Sequence, residues 1–142
     1  MIDPAEAVKG FLVTAGVGVF AAPTGWSIHI GALPESPDTA ILVNMTGGRS
    51  PFPHLALNYP SVQVIVRGSR SGYVPARQRM NMVVEALLGM SSIDVSGDTY
   101  RSCNQVGDVS FLGLDDNTRP LFGSNWWFIV LPAVGAGHRV AI

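Results

Sequence analysis

The chain has 142 residues, of which 47% are apolar and 13% charged, with a formal net charge of −1. This composition excludes a disordered chain and gives no overall attraction to DNA or to an acidic membrane, and the length favours one domain. The lone Cys103 excludes an internal disulfide and a cysteine-based zinc site, while the low charge leaves apolar surface that self-association can cover.

The first predicted element is a helix over residues 4–15. Asp3 and Pro4 fit the cap and the first helical position, and apolar residues then recur at helical spacing. The glycines after Ala15 predict where it ends. We do not expect a secretory signal here, because Asp3 and Glu6 stand where such a signal has basic residues.

Two strands and a long loop are predicted next. Residues 26–30 and 40–46 are short strands joined by GALPESPD, which is typical of a turn or loop. From Gly47 to Pro60, three prolines and a glycine pair predict an irregular segment. Loops of this length inside a compact domain are usually functional or mobile.

The middle of the chain contains the clearest strand and helix. Residues 61–67 alternate valine with other side chains, as in a strand, and GSRSG breaks the pattern. A helix is predicted over residues 74–88, with one apolar stripe. Arg77, Asn81 and Glu85 lie on its opposite face at intervals of four.

The remaining elements are predicted strands over residues 99–105, 109–114 and 126–131. Asp115–Asn117 provide turn chemistry before the last strand, and a glycine-rich tail from about residue 133 is expected to be loosely held. The order helix, strands, helix, strands predicts one α+β domain over the whole chain. Its two helices would pack on a mixed, largely antiparallel sheet.

Tryptophan residues mark the last predicted strand. In a strand, Trp126 and Phe128 face one way and Trp127 the other. One of these faces belongs to the core. Trp127 is therefore either covered by a helix or available for a contact with another subunit, where buried tryptophans often dominate.

No constellation of catalytic or ligand-binding residues is visible in the sequence. The glycine pairs lack the lysine of a phosphate-binding loop, and His29, His54 and His138 are scattered without metal-ligand spacing. Neighbouring carboxylates occur only as Asp115 and Asp116, in a predicted turn. We therefore predict no enzyme activity, no metal and no cofactor.

Four of the nine basic residues lie between Ser61 and Arg79. They could bind nucleic acid, form a solvated surface, or contact another subunit. A single lysine and no basic balance disfavour nucleic acid. Arg77 and Arg79 fall in the first turns of a helix, where the helix dipole disfavours cations unless an acidic partner faces them. Arginine pairs with carboxylates through two parallel hydrogen bonds, so we favour a contact with another subunit over nucleic-acid binding.

The run YPSVQVIVRGSRSGYVPARQRMNMVVEALLGM resembles the central segment of small tail-terminator, or minor capsid, proteins of tailed bacteriophages. The resemblance lies in a P-x-VQV-x-VRG strand from Pro60 to Gly68, and in a Y-x-x-A helix start at Tyr73 with an L-x-G helix end at Gly89. An N-W/F-x-F last strand follows at Asn125. The resemblance covers about residues 58–131.

The resemblance implies a structural virion protein with a mixed sheet and two helices. Proteins of this kind assemble as rings, usually hexamers, on the end of the tail tube, where they end polymerisation and offer the head-joining surface. The implied partners are further copies, the tail tube protein and neck proteins, with DNA only passing through the lumen and no membrane. The implied location is the virion, after assembly in the host cytoplasm.

Two alternatives remain open from the sequence. A head-completion or neck connector protein would also form a ring in the same part of the virion. A small ligand-binding or nucleic-acid-binding domain belongs to a different class, and would need convergent polar groups in a pocket or a basic surface.

The resemblance and the charge pattern together suggest two contact surfaces. In a ring, two different patches of each subunit meet, so a cationic cluster would face an acidic cluster of the next copy. The residues expected at the subunit interface are Arg67, Arg70, Arg77, Arg79, Glu85, Asp115, Asp116 and Trp127. The residues of the 47–59 loop expected to contact the tube or neck are Arg49, Phe52, His54 and Tyr59.

Overall fold

The computed structural model describes residues 1–20, 25–51 and 57–133, and for Phe20 only the backbone. The tail beyond residue 133, Phe52 and His54 lie outside these ranges. The elements in chain order are α1 Pro4–Thr14, β1 Val19–Phe20, β2 Ser27–Ile30, β3 Ala40–Arg49, β4 Tyr59–Arg67, α2 Tyr73–Leu88, β5 Ile93–Val95, β6 Asp98–Leu114 and β7 Pro120–Leu131.

The strands form one sheet in the order β1-β2-β3-β4-β7-β6-β5. The β1–β2 and β2–β3 pairs are parallel, and every other neighbouring pair is antiparallel. The predicted α+β class, with a mixed and largely antiparallel sheet and two helices, is therefore confirmed.

Both helices pack on the same face of this sheet. Val62, Val64 and Val66 of β4 alternate along the strand and are fully buried, in one cluster with Leu12 of α1 and Met80 of α2. We call this the helix face. The residues between the valines point to the opposite face, which we call the open face, and they are only partly buried.

Helix α1 begins where the sequence predicts. The Asp3 carboxylate accepts a hydrogen bond of 2.9 Å from the backbone N–H of Ala5, and Pro4 occupies the first turn. Helix α2 has no side-chain cap of this kind, because Gly72 precedes it. Its apolar stripe, including Ala76, Met80 and Val83, holds it against the sheet.

The predicted loop from Gly47 to Pro60 is wrong at both ends. Strand β3 continues to Arg49, and β4 already begins at Tyr59. The glycine pair that suggested a loop belongs to an irregular part of the ladder, where Gly47 and Gly48 have φ of 91° and 113°. A Cβ on Gly48 would lie 2.1 Å from the carbonyl oxygen of Tyr59, so only glycine lets the two strands approach.

The predicted break between residues 105 and 109 is also wrong. A single strand, β6, runs from Asp98 to Leu114. Its register against β7 shifts between Val106 and Ser110, so the extra residues bulge without ending the strand. Strand β7 likewise begins at Pro120 and not at residue 126.

Candidate functional site

Arg67 lies at the end of β4 and holds the segment between β2 and β3. Its side chain is buried, with 3% of the residue exposed. The guanidinium donates hydrogen bonds to three backbone oxygens, those of Pro34 (2.6 Å), Pro37 (2.8 Å) and Asp38 (2.8 Å). Because Val66 points to the helix face, Arg67 points to the open face. Residues 34–38 therefore cover this corner of the open face, and their burial of Arg67 lowers its pKa.

A second buried arginine, Arg119, holds the same segment from the start of β7. It donates to the Glu35 backbone oxygen at 2.7 Å and forms ion pairs with Asp38 at 3.2 Å and Asp115 at 2.8 Å. Burial by itself would lower the pKa of Arg119, but the hydrogen bonds to Asp115 and Asp38 outweigh it and raise the pKa. The segment is thus fixed by two arginines on neighbouring strands.

Asp115 is engaged inside the chain. Its carboxylate accepts hydrogen bonds from the backbone N–H groups of Asn117 and Arg119, both at 2.9 Å, and from Nε of Arg119. Desolvation alone would raise the pKa of Asp115, but these hydrogen bonds and the nearby positive charge lower it overall. The predicted turn is confirmed, and its first residue serves as the anchor for Arg119.

Arg79 also has an internal role. Its Nη1 donates to the backbone oxygen of Val17 at 2.9 Å, and its guanidinium lies 5.0 Å from the centre of the Trp26 ring. Burial lowers its pKa. Arg79 therefore joins α2 to the segment after α1, with a contribution from the cation–π contact.

Only part of the expected charged interface lies at the surface. Arg70 is exposed and makes a single long hydrogen bond, 3.4 Å, to the backbone oxygen of Asn117. Arg77 donates to the side chain of Asn81 one turn further along α2. Glu85 and Asp116 are exposed. The expectation of one exposed patch of four arginines is corrected, since Arg67 and Arg79 use their guanidinium groups within the fold.

The structure brings three other expected residues together on the open face. Trp127, Arg49 and Tyr59 line a groove of about 280 Å³, together with Gly48, Ser61 and Val106. The guanidinium of Arg49 lies 4.7 Å from the centre of the Tyr59 ring. Trp126 is fully buried on the helix face. The predicted opposition of the two tryptophans is therefore confirmed, and Trp127 is partly covered in this groove, not under a helix.

Large apolar side chains are exposed where β6 ends beside the start of α2. Phe111 is 48% exposed, and its ring lies 5.1 Å from that of Tyr73, which is 49% exposed. Both rings contact the buried Phe122. Val74 and Leu114, on the same two elements, are each 60% exposed. Exposed aromatic rings fixed on a buried one are typical of a protein contact surface.

The remaining reactive groups do not converge. His29 contacts Ser27 at 2.8 Å, and burial is the main cause of its lowered pKa, followed by the charges of Lys9 and Arg67. Burial raises the pKa of the Cys103 thiol to about 12. Within residues 1–20, 25–51 and 57–133 there is no group of three or more side chains that could hold a metal ion. His54 and His138 lie outside these ranges.

Sequence reasoning missed Arg119 and Asp98. Arg119 stands four residues after Asp115 in a turn, and this spacing was the available signal. Asp98 is 1% exposed, and its carboxylate accepts from the backbone N–H groups of Ile2 and Ala133, both at 2.8 Å. No local pattern predicts that one carboxylate ties the residues before α1 to those after β7.

Comparison with known proteins identifies the family. The fold is α+β, with two helices on one face of the sheet, and large apolar side chains are exposed where β6 ends beside α2. The description "Bacteriophage tail terminator protein" belongs to a family that matches residues 11–130. The chain belongs to this family, and is therefore a phage tail component. A search of curated proteins gave no match. In the described part of the chain, no helix is long and apolar enough to cross a membrane.

Proposed function

We propose that this chain forms a ring that caps the tail tube, ends its polymerisation and offers the surface to which the head joins. Membership of the tail terminator family supports this proposal. The proposed partners are further copies, in a ring of six, the tail tube protein and the neck proteins. DNA only passes through the lumen. Assembly takes place in the host cytoplasm, and the chain remains in the virion.

The observation that carries the proposal is the exposed apolar surface around Tyr73 and Phe111. These side chains are about half exposed although they stand on regular elements of the fold. Exposing such rings is unfavourable, since each Å² of apolar surface removed from water contributes about 25 cal/mol. A chain with only 13% charged residues gains solubility and stability when a partner covers this surface.

The charged residues at the surface suggest how copies recognise each other. Arg70 and Arg77 have no ion pair with the described residues, and neither do Glu85 and Asp116. We propose that the arginines of one copy face these carboxylates of the next, as opposite patches do in a ring. Arg79 anchors α2, which carries Arg77 and Glu85, and Asp115 fixes the turn that carries Asp116. Arg67 acts only inside the fold, where it holds residues 34–38.

The groove around Trp127 is proposed as the contact with the tube or neck. Arg49 and Tyr59 lie in it, at the ends of the strands that flank residues 50–58. This keeps Arg49, Phe52, His54 and Tyr59 as the proposed contact residues. Trp127, which the sequence assigned to the subunit interface, lines the same groove as Arg49 and Tyr59. A partly covered tryptophan next to an arginine has the composition of a binding hot spot.

Binding to purified virion parts tests the proposal. The chain is mixed with tail tubes and, separately, with DNA-filled heads, and each mixture is sedimented and imaged by electron microscopy. We expect a ring at one end of each tube and no binding to heads alone. Binding to heads and not to tubes would instead make the chain a neck connector.

A further inference from the structure

Strand β6 leaves most of one edge unpaired within the described residues. Its neighbour β5 pairs only with Asp98–Tyr100, whereas β6 continues to Leu114. The register against β7 shifts beside Arg101 and again after Val106. Between these irregularities, residues 102–106 form a regular stretch without a charged side chain. Charges and bulges protect sheet edges from other strands, and this stretch has neither.

Strand β3 has a second open edge at the opposite side of the sheet. Its parallel neighbour β2 pairs only with Ala40–Val43, whereas β3 continues to Arg49. Within the described ranges, no strand pairs with residues 44–49 on this side. The backbone groups of residues 44–49 that are not bonded to β4 therefore have no partner strand among the described residues, and the register shift between Met45 and Gly47 lies within this edge.

The two open edges stand at the same height in the sheet. Asn44 pairs with Gln63, Gln63 with Asn125, and Asn125 with Val106. In the same way, Gly47 connects through Ser61 and Trp127 to Asn104. The open part of β3 is therefore level with residues 102–106 of β6.

The strand directions are also compatible. Strands β3, β4, β7 and β6 are successive antiparallel neighbours, so β3 and β6 run in opposite directions. Rotation about an axis parallel to the strands preserves their direction. Each β6 would therefore meet the β3 of the next copy as an antiparallel neighbour, the arrangement that forms direct hydrogen-bond ladders.

We infer that residues 44–49 of one copy pair, antiparallel, with residues 102–106 of the next copy. The occupant of each open edge is thus a second copy of this chain, and the inference rests on the ring proposed above. Pairing also brings a neighbour to Met45 and Val106, which are 59% and 53% exposed on the two edges. The contact between copies then combines a backbone ladder with the burial of these side chains.

Engineered cysteines test this pairing. In a Cys103→Ala background, Asn44→Cys is combined with Val106→Cys or with Asn104→Cys, because all three positions lie on the open face. Within one chain, residues 44 and 106 are separated by three strand spacings, about 14 Å. This exceeds the limit of about 7 Å between the Cα atoms of a disulfide, so any disulfide must join two copies.

The matched control moves one cysteine by one residue. Met45→Cys with Val106→Cys places the two thiols on opposite faces, because side chains alternate along a strand. The full chain is oxidised mildly with tail tubes present, and products are separated without reductant. We expect the open-face pairs to give a ladder of covalent oligomers up to the ring size, at least about tenfold more abundant than in the control.

Three results would overturn the pairing, and they can be told apart. Rings that form by sedimentation but give no ladder with either open-face pair would refute the pairing and leave the ring intact. A covalent dimer from Val106→Cys alone would show that β6 meets β6 about a two-fold axis. No oligomer with tail tubes present would refute the ring, and the pairing with it.

Discussion

Replacing Arg67 by methionine should destabilise the fold strongly. The substitution keeps an unbranched apolar stem but removes the donors of three hydrogen bonds of 2.6–2.8 Å to residues 34–38. Each hydrogen bond from a charged donor contributes about 1.5–3 kcal/mol. Part of this stabilisation is offset, because burying the guanidinium costs free energy and because water can hydrogen-bond the freed oxygens in the variant. We expect a net loss of about 3 kcal/mol, out of the 5–15 kcal/mol or so that is typical of a domain.

Thermal unfolding followed by circular dichroism measures this loss. For a chain of this size, about 3 kcal/mol corresponds to a fall in the midpoint of roughly 10 °C. Arg70→Met is the matched control, since Arg70 is exposed and makes one bond of 3.4 Å. It should shift the midpoint by less than about 2 °C. Equal midpoints for the two variants would refute the reasoning that Arg67 holds the segment between β2 and β3.

Three further predictions follow from the charged residues and the thiol. Arg77→Glu should shift sedimentation toward smaller species at low salt, and less so at high salt, where charge contacts are screened. Arg79→Glu should instead lower the unfolding temperature. An unchanged oligomer for Arg77→Glu would exclude the charge contact. Hydrogen bonds from Arg119 depress the pKa of Asp115. In urea unfolding, the free energy of unfolding of the wild-type chain should therefore exceed that of Asp115→Asn above about pH 4, and this difference should shrink as pH falls through the depressed pKa. A constant difference down to pH ~2 would contradict this. Burial raises the pKa of Cys103 to about 12, so the native thiol should react with iodoacetamide at least about tenfold more slowly than in urea; equal rates would refute the burial.

The elements with strong local signals are those that the sequence predicts well. Asp3 and Pro4 mark the start of α1. The alternating valines of β4 mark its buried face and its end at Arg67, although the strand begins two residues before the predicted start. Helix α2 begins within one residue of the predicted position and ends at Leu88, before Gly89. In each case the residues that determine the element are neighbours in sequence.

Irregularities within strands are harder to predict from the sequence. Gly47 and Gly48 suggest a loop by composition, yet here they permit a close approach between β3 and β4. The shift in β6 after Val106 resembles a break because the alternation is lost. A neighbouring strand continues the ladder across both places, and a single sequence contains no signal for that neighbour.

The roles of the arginines depend on distant residues. Arg67 and Arg70 are three residues apart in similar polar surroundings, yet one is buried under residues 34–38 and the other is exposed. The difference arises because residues 34–38 accept the hydrogen bonds of Arg67, whereas Arg70 makes one long bond to Asn117. The resemblance to tail terminators predicts the family. The roles of these arginines inside the fold, however, depend on residues that are distant in sequence, so they become visible only in the structure.

The length of tail tubes assembled from purified tube protein, with and without this chain, tests the central claim most directly. Tubes are imaged by electron microscopy at several ratios of chain to tube protein. A capping ring predicts that added chain stops elongation, shortens the mean length as its ratio rises, and appears at one end of each tube. Tubes of unchanged length with bare ends at every ratio would contradict the account.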